Sequence, residues 1–125
     1  MAWNANQGPN TVDASTGLRQ WRFVVNGASS VAYPAVGVAA DGVIVTEGTT
    51  GSTASGQTVG VQSYGIVEIE AVASTVSRGD LVTASSVGHA VAPASGGYVM
   101  GRVVLGSSGA LNRRLSVLLL PHGTT

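Results

Sequence analysis

A chain of 125 residues suits one domain and can bury roughly two-thirds of its unfolded surface. It has no cysteine and no lysine, and six arginines balance six acids, which excludes disulfides, thiolate metal sites and the basic stripe of a nucleic-acid binder. Only 10% of residues are charged, against about 25% in ordinary domains, which reflects either a bias toward Ala, Gly, Val, Ser and Thr or a surface covered in an assembly.

The opening M-A-W-N-A-N-Q-G-P has neither the basic nor the apolar region of a secretory leader. No apolar run nears the ~20 residues of a membrane-spanning helix, so no membrane partner is expected. Residues 2–17 are polar and lack a period of 2 or 3.6. We read residues 1–17 as an extended N-terminal arm and 18–125 as a single β-domain. Trp3 on that arm either tucks against its own domain or anchors to a partner.

The first predicted strand covers residues 18–25, with Trp21, Phe23 and Val25 alternating against Gln20 and Arg22. Asn26-Gly27 supplies a turn. Residues 31–40 are apolar but contain Pro34, which suits an edge strand or an irregular entry. Asp41-Gly42 marks another turn before V-I-V-T-E. Residues 48–57, G-T-T-G-S-T-A-S-G-Q, read as an exposed hairpin tip, long enough for a contact role.

Two further strands follow, 58–61 and 64–71. In the second, Val67 and Ile69 face one way and Glu68 and Glu70 the other, onto water or an arginine-bearing partner. V-G-V-A-A-D-G-V-I-V (36–45) echoes V-G-V-Q-S-Y-G-I-V-E (59–68), read as two convergent hairpins. Residues 73–78 are the one plausible helical piece. The rest is glycine-punctuated strand through residue 121. The expected fold is all-β: a small barrel or sandwich of short antiparallel strands with an extended arm and at most one short helix.

Reactive constellations are missing. His89 reads as a surface or strand-edge histidine, and His122 lies behind Pro121 in a tail expected to fray. Asp41 and Asp80 adjoin glycines and read as turn formers. Glu68 and Glu70 sit roughly 7 Å apart by strand geometry, but on an exposed strand face and not around a pocket. Arg113-Arg114 suits a salt bridge or interface contact. No zinc spacing, phosphate loop or nucleophile elbow is present, so no enzyme and no cofactor are expected. G-D-L-V-T-A-S-S-V-G-H-A-V looks like a lipoyl- or biotinyl-carrier hairpin, but carriers need a lysine on the turn.

R-G-D-L-V-T-A-S-S-V-G-H-A-V-A-P-A, then G-Y-V-M-G-R-V-V and L-S-V-L-L-L-P, resembles the capsid cement, or head decoration, proteins of tailed bacteriophages. The resemblance covers residues 36–121 and rests on the order and spacing of the strands. It implies a homotrimeric clamp on the outer surface of an expanded virion head, bridging major capsid protein subunits without touching nucleic acid. The expected capsid-binding arm carries Trp3, Asn4, Asn6 and Gln7; the expected oligomer or capsid contacts are Glu68, Glu70, Arg102, Arg113 and Arg114. The alternative is a carbohydrate- or receptor-binding β-module, with Trp3, Tyr33, Tyr64 and Tyr98 as candidate contacts.

Overall fold

The computed structural model describes residues 10–13, 18–26, 30–35, 39–45, 58–72, 76–94, 97–106 and 113–124. These residues form ten strands and no helix. The strands are β1 (Asn10–Asp13), β2 (Phe23–Asn26), β3 (Val31–Ala32), β4 (Gly42–Ile44), β5 (Thr58–Gln62), β6 (Gly65–Ala71), β7 (Leu81–Ala84), β8 (Ala90–Val91), β9 (Tyr98–Leu105) and β10 (Arg113–Thr124). The all-β class read from the sequence is the class observed. Trp3, Asn4, Asn6, Gln7 and the 48–57 loop lie outside the described residues.

The strands divide at the corner between β5 and β6. An open sheet runs β1-β5-β4-β2-β3, and a closed barrel runs β10-β6-β8-β7-β9. Nearly every ladder is antiparallel; β6 and β8 run parallel at Ala71↔Ala90. The reason is the β7–β8 hairpin, which turns the chain back so that β8 arrives beside β6 in the same direction. Ser86, Val87 and Gly88 form its loop. The Ser85 N–H donates to the His89 carbonyl at 2.9 Å, and the Gly88 N–H donates to the Ser85 carbonyl at 3.0 Å. Gly88 has φ +80°, the left-handed residue that a three-residue hairpin loop requires.

Sheet and barrel share one apolar core. Phe23 and Val43, paired across β2 and β4, join Val67, Ile69, Val82 and Leu115 of the barrel. The opposite face of the same strands builds a second cluster from Leu18, Val24, Val31, Ile44, Val59 and Val61. This corrects the predicted first strand. Phe23 and Val24 are both buried, because β2 has a covered surface on each side, so a simple inside–outside alternation does not apply. The extended run also begins two residues later than Trp21, which sits at φ 68°, an outlier for a bulky side chain.

Three other expectations change. Asn10–Asp13 is not an unpaired arm: it pairs with β5 from Asn10↔Val61 to Asp13↔Thr58. Main-chain pairing at a sheet edge needs no apolar alternation, so the polar sequence hid it. The second V-G-V echo is not a hairpin: β5 belongs to the sheet and β6 to the barrel. Gln62 secures that corner, its Nε2 donating to the carbonyls of Tyr64 at 2.8 Å and Ile66 at 3.3 Å. The C-terminal residues stay in the ladder, with Gly123↔Val99 and Thr124↔Tyr98. A register shift between Leu119 and Gly123 accommodates Pro121, which has no N–H to donate.

The edge reading and the Gly79-Asp80 turn agree with the structure, and the Asp41-Gly42 turn does not. β3, just before Pro34, is an edge strand. Asp80 Oδ2 accepts from the Ser77 N–H at 2.9 Å and closes its turn, whereas Asp41 extends the β2–β4 ladder: its N–H donates to the Val24 carbonyl at 2.8 Å and its Oδ2 accepts from the Asn26 N–H at 2.7 Å.

Candidate interaction surface

β6, β10, β9 and β7 lie side by side and form a continuous outer wall of the barrel. Val67, Val117, Val103 and Val82 point into the core, so their chain neighbours point out. Register then aligns the outward residues across the wall: Ile66↔Leu118, Leu118↔Arg102 and Arg102↔Leu81. Directly opposed residues share a face, and strands lie ~4.8 Å apart, so this row spans roughly 14 Å. Ile66 is 61% exposed, Leu81 40%, and Leu105, which pairs with Ser116, 67%. Covering each of these side chains would contribute about 1–2 kcal/mol.

The wall ends in a charged junction on one side. Arg22 is buried; its Nε donates to Glu70 Oε1 at 2.7 Å and its Nη1 to the Val87 carbonyl at 2.9 Å. The exposed Arg19 approaches the other oxygen of Glu70 at 3.5 Å. The backbone is laced here too. The Glu70 N–H donates to the Trp21 carbonyl, and the Phe23 N–H to the Gly88 carbonyl, each at 2.8 Å. The chain entering β2 is thus held to β6 and to the β7–β8 loop. Arg114 stacks over the Trp21 ring at 5.3 Å and lies 3.9 Å from Glu68.

A cleft opens on the other side, next to Arg102. It has a volume of about 350 Å³ and is lined by Arg78, Gly79, Arg102, Val103 and Val104. Its floor is an extension of the β7–β9 ladder: the Gly79 N–H donates to the Val103 carbonyl at 2.8 Å, and the Val103 N–H to the Asp80 carbonyl at 2.9 Å.

The predicted contact residues therefore separate. Glu68 and Arg102 stand on the wall, and Arg113 is exposed at the start of β10. Arg114 is half exposed but engaged with Trp21 and Glu68. Glu70 is not an exposed contact residue: it is buried against Arg22 and Arg19 of its own chain. Segment 18–22 folds over that end of β6, a long-range event that strand alternation does not encode. His89 is likewise buried and not on the surface, because the entry to β2 covers the adjoining loop. Of the aromatic candidates, Tyr33 packs on the second core cluster and its hydroxyl accepts from the Arg19 N–H at 3.0 Å, while Tyr64 and Tyr98 are exposed.

Sequence reasoning missed Ile66, Leu81, Leu105, Leu118 and Arg78. One signal was present: Leu118-Leu119-Leu120 places leucine on both faces of a strand, so at least one must point away from the core. Among the described residues no three His, Asp or Glu side chains gather as metal ligands. The chain matches no protein-family model and no curated protein sequence.

Proposed function

We propose that the protein is a capsid decoration protein, acting without catalysis. It binds the outer surface of an expanded icosahedral phage head as a homotrimer and bridges neighbouring major capsid subunits. The observation that carries this reading is the outer barrel wall, where exposed Ile66, half-buried Leu118, exposed Arg102 and exposed Leu81 follow one another in a single cross-strand row. Interfaces combine an apolar centre with arginine and a polar rim, and the Ile66–Leu118–Arg102–Leu81 row has that composition, with Glu68 and Arg114 beside it. The strand order and spacing that resemble cement proteins span the same residues. A ligand that binds only the assembled shell stabilises that shell by mass action, which is the task of a clamp.

Co-sedimentation with expanded heads stripped of decoration protein tests the reading. The wild-type protein is expected to pellet saturably at a fixed ratio to capsid subunits and to run as a trimer in solution or on the head. Ile66→Asp with Leu105→Asp is expected to reduce binding about tenfold or more, since two charges would be desolvated at the contact. Wild-type protein that stays in the supernatant at every concentration would overturn the role. Undiminished binding by the double variant would move the contact elsewhere.

A further inference from the structure

The six arginines divide evenly by partner. Arg19 and Arg22 lean on Glu70, and Arg114 on Glu68. Arg78, Arg102 and Arg113 meet no carboxylate among the described residues. Two of these three line the same cleft. The nearest acid in sequence is Asp80, but its carboxylate is turned to Ser77, accepting from the backbone N–H at 2.9 Å and from the hydroxyl at 3.4 Å. Nothing described in the protein therefore neutralises the pair.

The cleft is also kept open. Gly79, which follows Arg78 and lines the cleft with both arginines, has φ +94°, and a Cβ added there would meet nothing within 4 Å. Beside it, Leu81 lies opposite Arg102 and Val104 joins the lining, while the Val103 side chain is turned into the core and lends the cleft only its backbone. Leu105, the next residue, is the most exposed large apolar side chain described.

We infer that the Arg78–Arg102 cleft binds a carboxylate side chain presented by an apolar stretch of a partner protein. Each guanidinium offers a planar fork that matches the two oxygens of a carboxylate, and a carboxylate between two forks removes their mutual repulsion. Leu81, Val104 and Leu105 would cover the residues flanking that acid. The same apolar rim disfavours a nucleic acid, which needs cationic side chains continuing along its backbone. The identity of the partner as capsid rests on the proposed function; the chemistry of the site does not.

The test follows the arginine Nε–Hε resonances of the isotope-labelled full chain. Three probes are added separately: the capped peptide acetyl-Leu-Glu-Leu-Glu-amide, its glutamine counterpart, and inorganic phosphate. Arg78 and Arg102 are expected to shift saturably with the glutamate peptide, while Arg113, equally unpaired, stays in place. Binding is expected to weaken about tenfold or more with the glutamine peptide, and equally in Arg78→Gln or Arg102→Gln. Arg113 shifting as far as the cleft pair would reduce the effect to diffuse screening and overturn the site. Phosphate binding as tightly as the glutamate peptide would overturn the assignment to a protein carboxylate. The absence of any saturable shift would overturn both. Head co-sedimentation is scored apart. Its failure with peptide binding intact removes the decoration role and leaves the site; intact co-sedimentation without peptide binding removes the site and leaves the role.

Discussion

Arg22 and Arg102 carry the same guanidinium on two sides of one barrel wall, in opposite circumstances. Arg22 is buried and engaged: its Nε donates to Glu70 and its Nη1 to the Val87 carbonyl. Arg102 is exposed, meets no acid, and stands between two leucines. The first arrangement joins sheet to barrel and is finished within the chain. The second is unfinished, and what would complete it is an acid on an apolar surface. Residue type therefore says little about role in this protein. What separates a structural arginine from an available one is whether a distant part of the chain folds over it.

The contrast can be broken most severely at Glu70. Glu70→Ala leaves the buried Arg22 without its carboxylate and is expected to cost about 3–5 kcal/mol in chemical denaturation. Arg22→Met should cost less, because Glu70 retains Arg19 at 3.5 Å. Combining Arg22→Met with Glu70→Leu should recover most of the loss, since well-packed apolar groups often replace a buried pair without penalty. A double variant as unstable as Glu70→Ala would show that the pair is needed for more than charge balance.

Two glycines sharpen the same comparison. At Gly88 an added Cβ would lie 2.7 Å from the Phe23 carbonyl oxygen and 3.0 Å from the Arg22 Cβ, in a backbone already at positive φ. Gly88→Ala combines conformational strain with overpacking and is expected to lower stability by roughly 2–4 kcal/mol. Gly79, at a similar φ, faces open space, so Gly79→Ala should cost only about 1–2 kcal/mol. Equal losses measured by urea titration would contradict the difference in packing between junction and cleft.

The smallest stability effects belong to the wall. Arg102→Gln and Ile66→Ser are expected to change stability by no more than about 0.5 kcal/mol, as exposed substitutions usually do. Glu68→Ala removes a 3.9 Å pair between half-exposed groups and should fall within about the same range. A thermal melt that moved strongly for any of these would mean that the wall supports the fold itself and is not a free surface.

The amino-acid sequence by itself determined the local elements. Alternation of Val67 and Ile69 with Glu68 marked β6, the Gly79-Asp80 pair marked a turn, and Pro34 marked an edge. Such signals are carried by a few neighbouring residues, so they are readable without the rest of the chain. Only the tertiary structure decided which strands share a sheet, that Asn10–Asp13 pairs with β5, and that the V-G-V echo spans a corner and not a hairpin. It also decided the fates of Glu68 and Glu70, two residues apart on one face of β6, one left in solvent and one sealed under residues 18–22. Burial at that position depends on a segment 48 residues away in the chain, and no local pattern carries that distance.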